Sequence, residues 1–151
     1  MMAGEETLST EAGQVTFARI TGQDLSLDSH LAAVSGSGYG AVVTFVGQIR
    51  DHDPAAAGTV ERIEYSSHPD AETILQRVAA EAVRPGTCLA VSHRTGAVEV
   101  SQPALVACVA SAHRALAYEV SRDLIERIKR EVPIWKRQVE SDGSHNWQGL
   151  G

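Results

Sequence analysis

The chain has 151 residues, 43% hydrophobic and 21% charged, which is the size and balance of one globular domain able to bury roughly two thirds of its unfolded surface. Its net charge of -6 excludes a broad nucleic-acid surface but leaves room for a small basic pocket. No apolar stretch approaches the roughly 18 residues needed to cross a bilayer, and the acidic opening MMAGEETLSTEAGQ lacks an export signal's cationic and apolar regions, so a cytoplasmic location is expected.

Residues 1–14 read as a flexible tail and residues 15–151 as the domain. VTFARI, Val15 to Ile20, predicts a first strand, and Leu27 to Val34 a short helix capped by Ser26. Gly36, Gly38 and Gly40 interrupt the chain before YGAVVTFVGQIR, whose aromatic and β-branched content predicts a mostly buried strand ending at Arg50. DHDPAAAG reads as a loop and VERIEYSSH, Val60 to His68, as another strand. Pro69 opens a helix over DAETILQRVAAEAVR that Pro85 and Gly86 terminate. CLAVSHRTGAVEV and ALVACVAS supply further strands. In HRALAYEVSRDLIERIKREV the residues Leu116, Val120, Leu124 and Ile128 recur at four-residue spacing, the apolar face of a long helix that Pro133 ends. The remainder, with its Asp-Gly pair and Trp147, predicts a short hairpin or strand. Crossover helices are missing between most strand pairs, so the fold class is α+β, with compact mixed or antiparallel sheets covered by helices.

Several chemistries are poorly supported. SGSGYG lacks the Walker lysine and serine or threonine, so it reads as a strand-entry turn. His93 and His113 have no recognisable third ligand, and no metal is expected. Cys88 and Cys108 have neither metal-ligand spacing nor a disulfide framework and read as core thiols in a reducing compartment. Ser111 and His113 form no nucleophile elbow.

The cations are more informative. Ser111 to Gln138 carries seven Arg or Lys against four Asp or Glu, a local charge of +3 in an otherwise acidic chain. One reading is a solvated helix face; the other is an anion pocket, with Arg114 near a helix N-terminus pairing with phosphate and Arg50 as a second clamp. Among thirteen cations only Lys129 and Lys136 are lysines. Arginine stays protonated, whereas a desolvated lysine beside another cation can lose its proton, so these two are either proton-transfer residues or exposed helix-end charges. Ile134 and Trp135 are expected to anchor the turn that orients Lys136. On one helix, Arg114 and Lys129 lie about 22 Å apart along the axis, too far for one small substrate. If both belong to one site, a neighbouring subunit must supply one of them, and a homodimer is expected.

FVGQIRD at Phe45 to Asp51, SHRTG at Ser92 to Gly96, and SAHRALAYEVSRDLIERIKREVPIWKRQ together resemble the catalytic, large subunit of molybdopterin synthase, with the likeness running from about Val15 to Trp147. The resemblance implies an α/β-hammerhead fold. It implies a sulfurtransferase that converts cyclic pyranopterin monophosphate into molybdopterin, with no tightly bound cofactor. Sulfur would come from the Gly-Gly thiocarboxylate of a small ubiquitin-like partner, one at each end of a dimer of large subunits. It makes Lys129 and Lys136 catalytic, and Arg50, His113 and Arg114 substrate-binding, the last two entering from the opposite large subunit. Ser66, His68 and Ala71 depart from the family pattern, as do Arg137 and Gln138, where lysine and glutamate are common. A binding-only member of the family, or an unrelated enzyme acting on a phosphorylated metabolite, are the alternatives.

Overall fold

Two apolar runs, TCLAVSHR and PALVACVAS, set the architecture: nearly every side chain in them is buried, so both strands must be covered on both faces. The computed structural model describes residues 8–10, 13–52, 58–141, 143 and 145–149. In it those runs are β5 (Thr87–Arg94) and β7 (Pro103–Ser111), paired antiparallel at the heart of a five-stranded sheet. Outward from β5 lie β2 (Gly13–Thr21), parallel to it, and β1 (Leu8–Thr10); β3 (Ala41–Gln48) forms the far edge beside β7. A second, antiparallel sheet takes the order β6 (Gly96–Glu99), β4 (Val60–Ser67), β8 (Ile134–Glu140), β9 (His145–Gly149). At Gly96, whose φ of 85° favours glycine, the chain turns out of β5 and enters the second sheet.

Helices α2 (Ala71–Ala82) and α3 (Arg114–Glu131) pack side by side against the first sheet, while α1 (Leu27–Ala33) packs against β5 and β7. Ser26 caps α1 as expected, accepting the Ser29 N–H at 3.2 Å. Along α3, Val120, Leu124 and Ile128 are fully buried with Leu75, Val78, Leu89 and Val109, each such side chain contributing about 1.5–3 kcal/mol by leaving water. α2 stops at Ala82, two residues short of the sequence reading, because Arg84 precedes Pro85 and is disfavoured in helical geometry; Val83 is already extended.

Two expectations change. β3 is an edge strand with alternating exposure, Val42 at 42%, rather than mostly buried, because β7 pairs it on one side only. Leu8–Thr10, within the stretch read as a tail, pairs with Gly13–Val15; residues 1–7, 11 and 12 lie outside the described residues, as do 53–57 of the DHDPAAAG loop. EVPIWKRQ enters β8 directly at Ile134, and β8 and β9 form the expected hairpin.

Gly13 joins β1 to β2 at φ +113°, where a Cβ would collide with the Arg84 carbonyl oxygen and a Val83 methyl. Gly13→Ala therefore loses about 1–3 kcal/mol from backbone conformation alone, with the collision added. An unfolding midpoint in urea unchanged by the substitution would contradict this.

Candidate active site

The period of two along a strand decides which residues of IWKRQ meet. Ile134, Lys136 and Gln138 face one side of β8, Trp135 and Arg137 the other. Ile134 enters the main core, whereas Trp135 is 43% exposed and lies with Trp147 and Ser66 on the outer surface. Trp135 is therefore not the core anchor read from the sequence; Ile134 alone takes that part. Arg137, also outward, pairs with Glu64 and lies over the Trp147 ring, and the guanidinium holds the Glu64 carboxyl below the usual range.

The inward side of β8 helps to enclose a cavity of about 170 Å³ where the two sheets meet the C-terminal end of α3. Phe45 and Arg50 come from β3 and the residues after it, Tyr65 from β4, His93 from β5, Lys129 from α3 and Lys136 from β8. Arg50 and Lys129 are exposed at its rim, while Ile63, His93 and Gln138 are buried in its floor. Tyr65 and Lys136 sit opposite one another in the β4–β8 ladder.

The electrostatics separate these groups. The Lys129 amine is held below the ordinary lysine value, first by partial burial and then by the nearby Lys136 charge, with Glu126 opposing. A neutral amine is thus available at lower pH than for a free lysine. Burial pushes the Tyr65 hydroxyl up to about 12, so it stays protonated. His93 is pushed down to about 4, mainly by burial, against a 2.7 Å hydrogen bond to the Arg94 carbonyl.

That depression has a consequence for stability. Below the ordinary histidine value of 6.5 the unfolded chain takes up a proton that folded His93 refuses until about pH 4. Stability complete above pH 6.5 is therefore lost as pH falls toward 4, by up to about 3 kcal/mol from this residue. Buried His30, also shifted down by burial, adds in the same direction. Urea midpoints should fall from pH 6.5 to 4.5, and less steeply in His93→Asn; parallel slopes would refute the assignment.

The structure thus brings Arg50, Lys129 and Lys136 together, but not His113 and Arg114. Those open α3 at its other end, next to Ser111, which pairs with Ala41 at the start of β3, whereas the cavity lies by Gln48 and Pro103 at the far end of the same ladder. The +3 segment is not one patch either: Arg127 pairs with Asp123 and Glu81, Arg130 with Glu131, and Arg137 with Glu64. Among the described residues, no group of three or more His, Cys, Asp or Glu converges on a metal-sized site. Cys88 and Cys108 are free and buried.

Sequence reasoning missed Tyr65, His93 and Gln138 as cavity residues. The alternation in VERIEYSS, with Ile63 and Tyr65 on one face, is a signal for Tyr65; for His93 the only signal is its place in SHRTG, a segment that carried the resemblance without a role attached to it. Of the departures from the family pattern, Gln138 lies in the cavity wall, whereas Ser66 faces out, His68 follows β4 and Ala71 opens α2.

Residues 20–131 match the family model described as MoaE protein. The chain belongs to the MoaE family. This MoaE-family chain is 39% identical over 140 residues to the molybdopterin synthase catalytic subunit 1 of Mycobacterium tuberculosis, covering 91% of this chain and 93% of that protein. Its fold matches the crystal structure of molybdopterin synthase from Staphylococcus aureus with a TM-score of 0.79 and 32% identity, over 88% of this chain and 96% of that one. It also shares its fold with a chain in the complex of subunits 1 and 2 of molybdopterin-converting factor from Helicobacter pylori, at a TM-score of 0.61 and 22% identity over 73% and 72% of the two chains. No helix among the described residues of this MoaE-family chain is long and apolar enough to cross a membrane.

Proposed function

We propose that the cavity is where this chain, as a molybdopterin synthase catalytic subunit of the MoaE family, transfers sulfur to cyclic pyranopterin monophosphate. One observation carries the reading: in a chain of this family, its only two lysines and Arg50 arrive from three separate elements at one cavity. The donor is the thiocarboxylate at the Gly-Gly terminus of a small ubiquitin-like subunit; the Helicobacter pylori complex of subunits 1 and 2, which contains a chain of this fold, supports a second subunit as partner.

In the proposed reaction the thiocarboxylate sulfur attacks a carbon that carries an ester oxygen of the cyclic phosphate. The carbon–sulfur bond forms as that carbon–oxygen bond breaks, the freed phosphate oxygen stays on the substrate, and donor and substrate are left joined through a thioester. Lys129 and Lys136 transfer protons and stabilise the developing charge. Water then cleaves the acyl–sulfur bond, so sulfur stays on the pterin and the donor leaves as a carboxylate. A second donor adds the other sulfur at the neighbouring oxygen-bearing carbon, whose oxygen leaves as water, and hydrolysis of that thioester completes the dithiolene. Arg50 holds phosphate as a charge-assisted clamp. No tightly bound cofactor is required, because sulfur arrives on a protein. The free buried thiols suit a cytoplasmic setting.

His113 and Arg114 join the site from a second copy of the chain. Two features support that self-association: the length of α3, which separates Arg114 from its own Lys129 by about 22 Å, and the apolar surface near the start of that helix. Tyr118 is 63% exposed there and shares a shallow depression with Phe45 and Ile125, beside the edge strand β3.

The deciding experiment incubates the chain with cyclic pyranopterin monophosphate and a thiocarboxylated small subunit and follows all three by mass spectrometry. Loss of thiocarboxylate coupled to a two-sulfur pterin is the expected result. Partner binding without sulfur transfer, under conditions where an authentic synthase turns over, would replace catalysis with a binding role.

A further inference from the structure

Lys129 stands at the rim of a cavity whose described wall contains no carboxylate, so nothing of opposite charge in that wall fixes its flexible four-carbon stem. A carboxylate would do so at the cost of holding the amine protonated. A neutral acceptor with a fixed lone pair would place the amine and still let it lose a proton.

His93 meets that requirement. It is 3% exposed, lines the same cavity, and is close enough to Lys129 to feel its charge. The Arg94 carbonyl can only accept, so Nδ1 carries the hydrogen in the 2.7 Å bond between them. Nε2 is then the bare acceptor, turned to the cavity that Lys129 also lines, and in this structure the Lys129 amine has not closed a hydrogen bond to it. The ring is further held by Tyr65, edge-on with centroids 5.1 Å apart, and Arg94 is itself anchored by Asp24 at 2.8 Å and by the Ala97 carbonyl at 3.2 Å. The result is an imidazole locked in one tautomer and one orientation at the back of the cavity. His93 lies in SHRTG, a segment to which the sulfur-transfer reading assigns no role.

We propose that His93 is a positioning residue for Lys129, its Nε2 lone pair accepting a hydrogen bond from the Lys129 amine across the cavity and fixing where that amine meets the substrate. The proposal rests on the sulfur-transfer reading only for its consequence on rate. The proposed hydrogen bond itself needs neither substrate nor partner.

The groups facing His93 are Tyr65 from β4, Lys129 from α3, Lys136 from β8 and Arg50 beyond β3, with Arg94 on its own strand. Of these, Lys129 titrates below the ordinary lysine value and Tyr65 only near 12. Two measurements on the chain without partner or substrate decide the matter. In the wild-type protein, long-range ¹⁵N–¹H spectra should show His93 protonated on Nδ1, with the Nε2 shift moving as Lys129 titrates; an Nε2 shift indifferent to that titration overturns the proposal without any variant. Reductive ¹³C-methylation labels Lys129, Lys136 and the terminal amine, giving few and assignable signals. Losing an acceptor disfavours the ammonium, so the Lys129 titration should move to still lower pH in His93→Asn, which keeps a donor for the Arg94 carbonyl but presents nothing at Nε2. His93→Gln, which places an amide oxygen near Nε2, should restore part of the shift. An unmoved Lys129 titration in His93→Asn also overturns the proposal.

In the assembled enzyme, single-turnover sulfur transfer should fall up to about 100-fold in His93→Asn, chiefly in kcat rather than KM, and recover in part in His93→Gln. If the wild-type chain transfers no sulfur while both spectroscopic results hold, the functional reading fails and the His93–Lys129 contact stands.

Discussion

Lys129→Ala is expected to slow single-turnover sulfur transfer by about 10²–10⁴-fold, the contribution typical of a positioned proton-transfer group. The residue type matters because an arginine at this position keeps the charge but cannot release a proton near neutral pH. Lys129→Arg should therefore remain slow, although it could still attract an anionic substrate. Neither change should lower stability much, since Lys129 is exposed at the rim and its partial burial disfavours its own charge. Lys136 acts on the same group at a distance. Its charge is one cause of the depressed Lys129 value, so Lys136→Met should return the Lys129 titration toward higher pH and move the alkaline rise of any remaining activity with it. Rates measured from pH 6 to 10 with each variant test both statements; Lys129→Arg at wild-type rate would remove Lys129 from proton transfer.

Mixing two inactive chains should restore activity if the site is shared between subunits. In the proposed site Arg114→Ala would spoil the phosphate contact and Lys129→Ala the proton transfer, so each homodimer would carry two defective sites. A hybrid dimer places both lesions in one site and leaves the other intact. Random pairing then returns about a quarter of wild-type activity in a two-fold dimer. Arg114 and Lys129 from a single chain, joined by a rigid helix, would give no recovery at all. The experiment thus measures which Arg114 serves which Lys129, and requires only that the chains exchange before assay.

Much of the element order was legible because the chain is locally consistent. The four-residue recurrence of Leu116, Val120, Leu124 and Ile128 and the stop at Pro133 define α3; Ser26 defines the start of α1; the continuous apolar runs define β5 and β7. What was not legible depended on neighbours far away in sequence. The exposure of β3 follows from its having a partner on one side only, which no property of AVVTFVGQ reveals. Trp135 looked like a core anchor by its size, and its outward direction follows from the pairing of β8 between β4 and β9.

The candidate site divides in the same way. Lys129 and Lys136 stood out by rarity and by the chemistry of an amine, and Arg50 by its place at the end of a strand. His93 and Tyr65 carried no such mark, since a histidine in a strand becomes informative only when its tautomer, burial and neighbours are known. The amino-acid sequence by itself determined the α+β class, the continuous helix that separates Arg114 from Lys129, and which two residues carry a side-chain amine, all of which are local or chemical properties. The tertiary structure alone decided that β3, β5, α3 and β8 close around one cavity, and that His93 is neutral and aimed by Arg94, because enclosure and desolvation arise only when distant segments pack together.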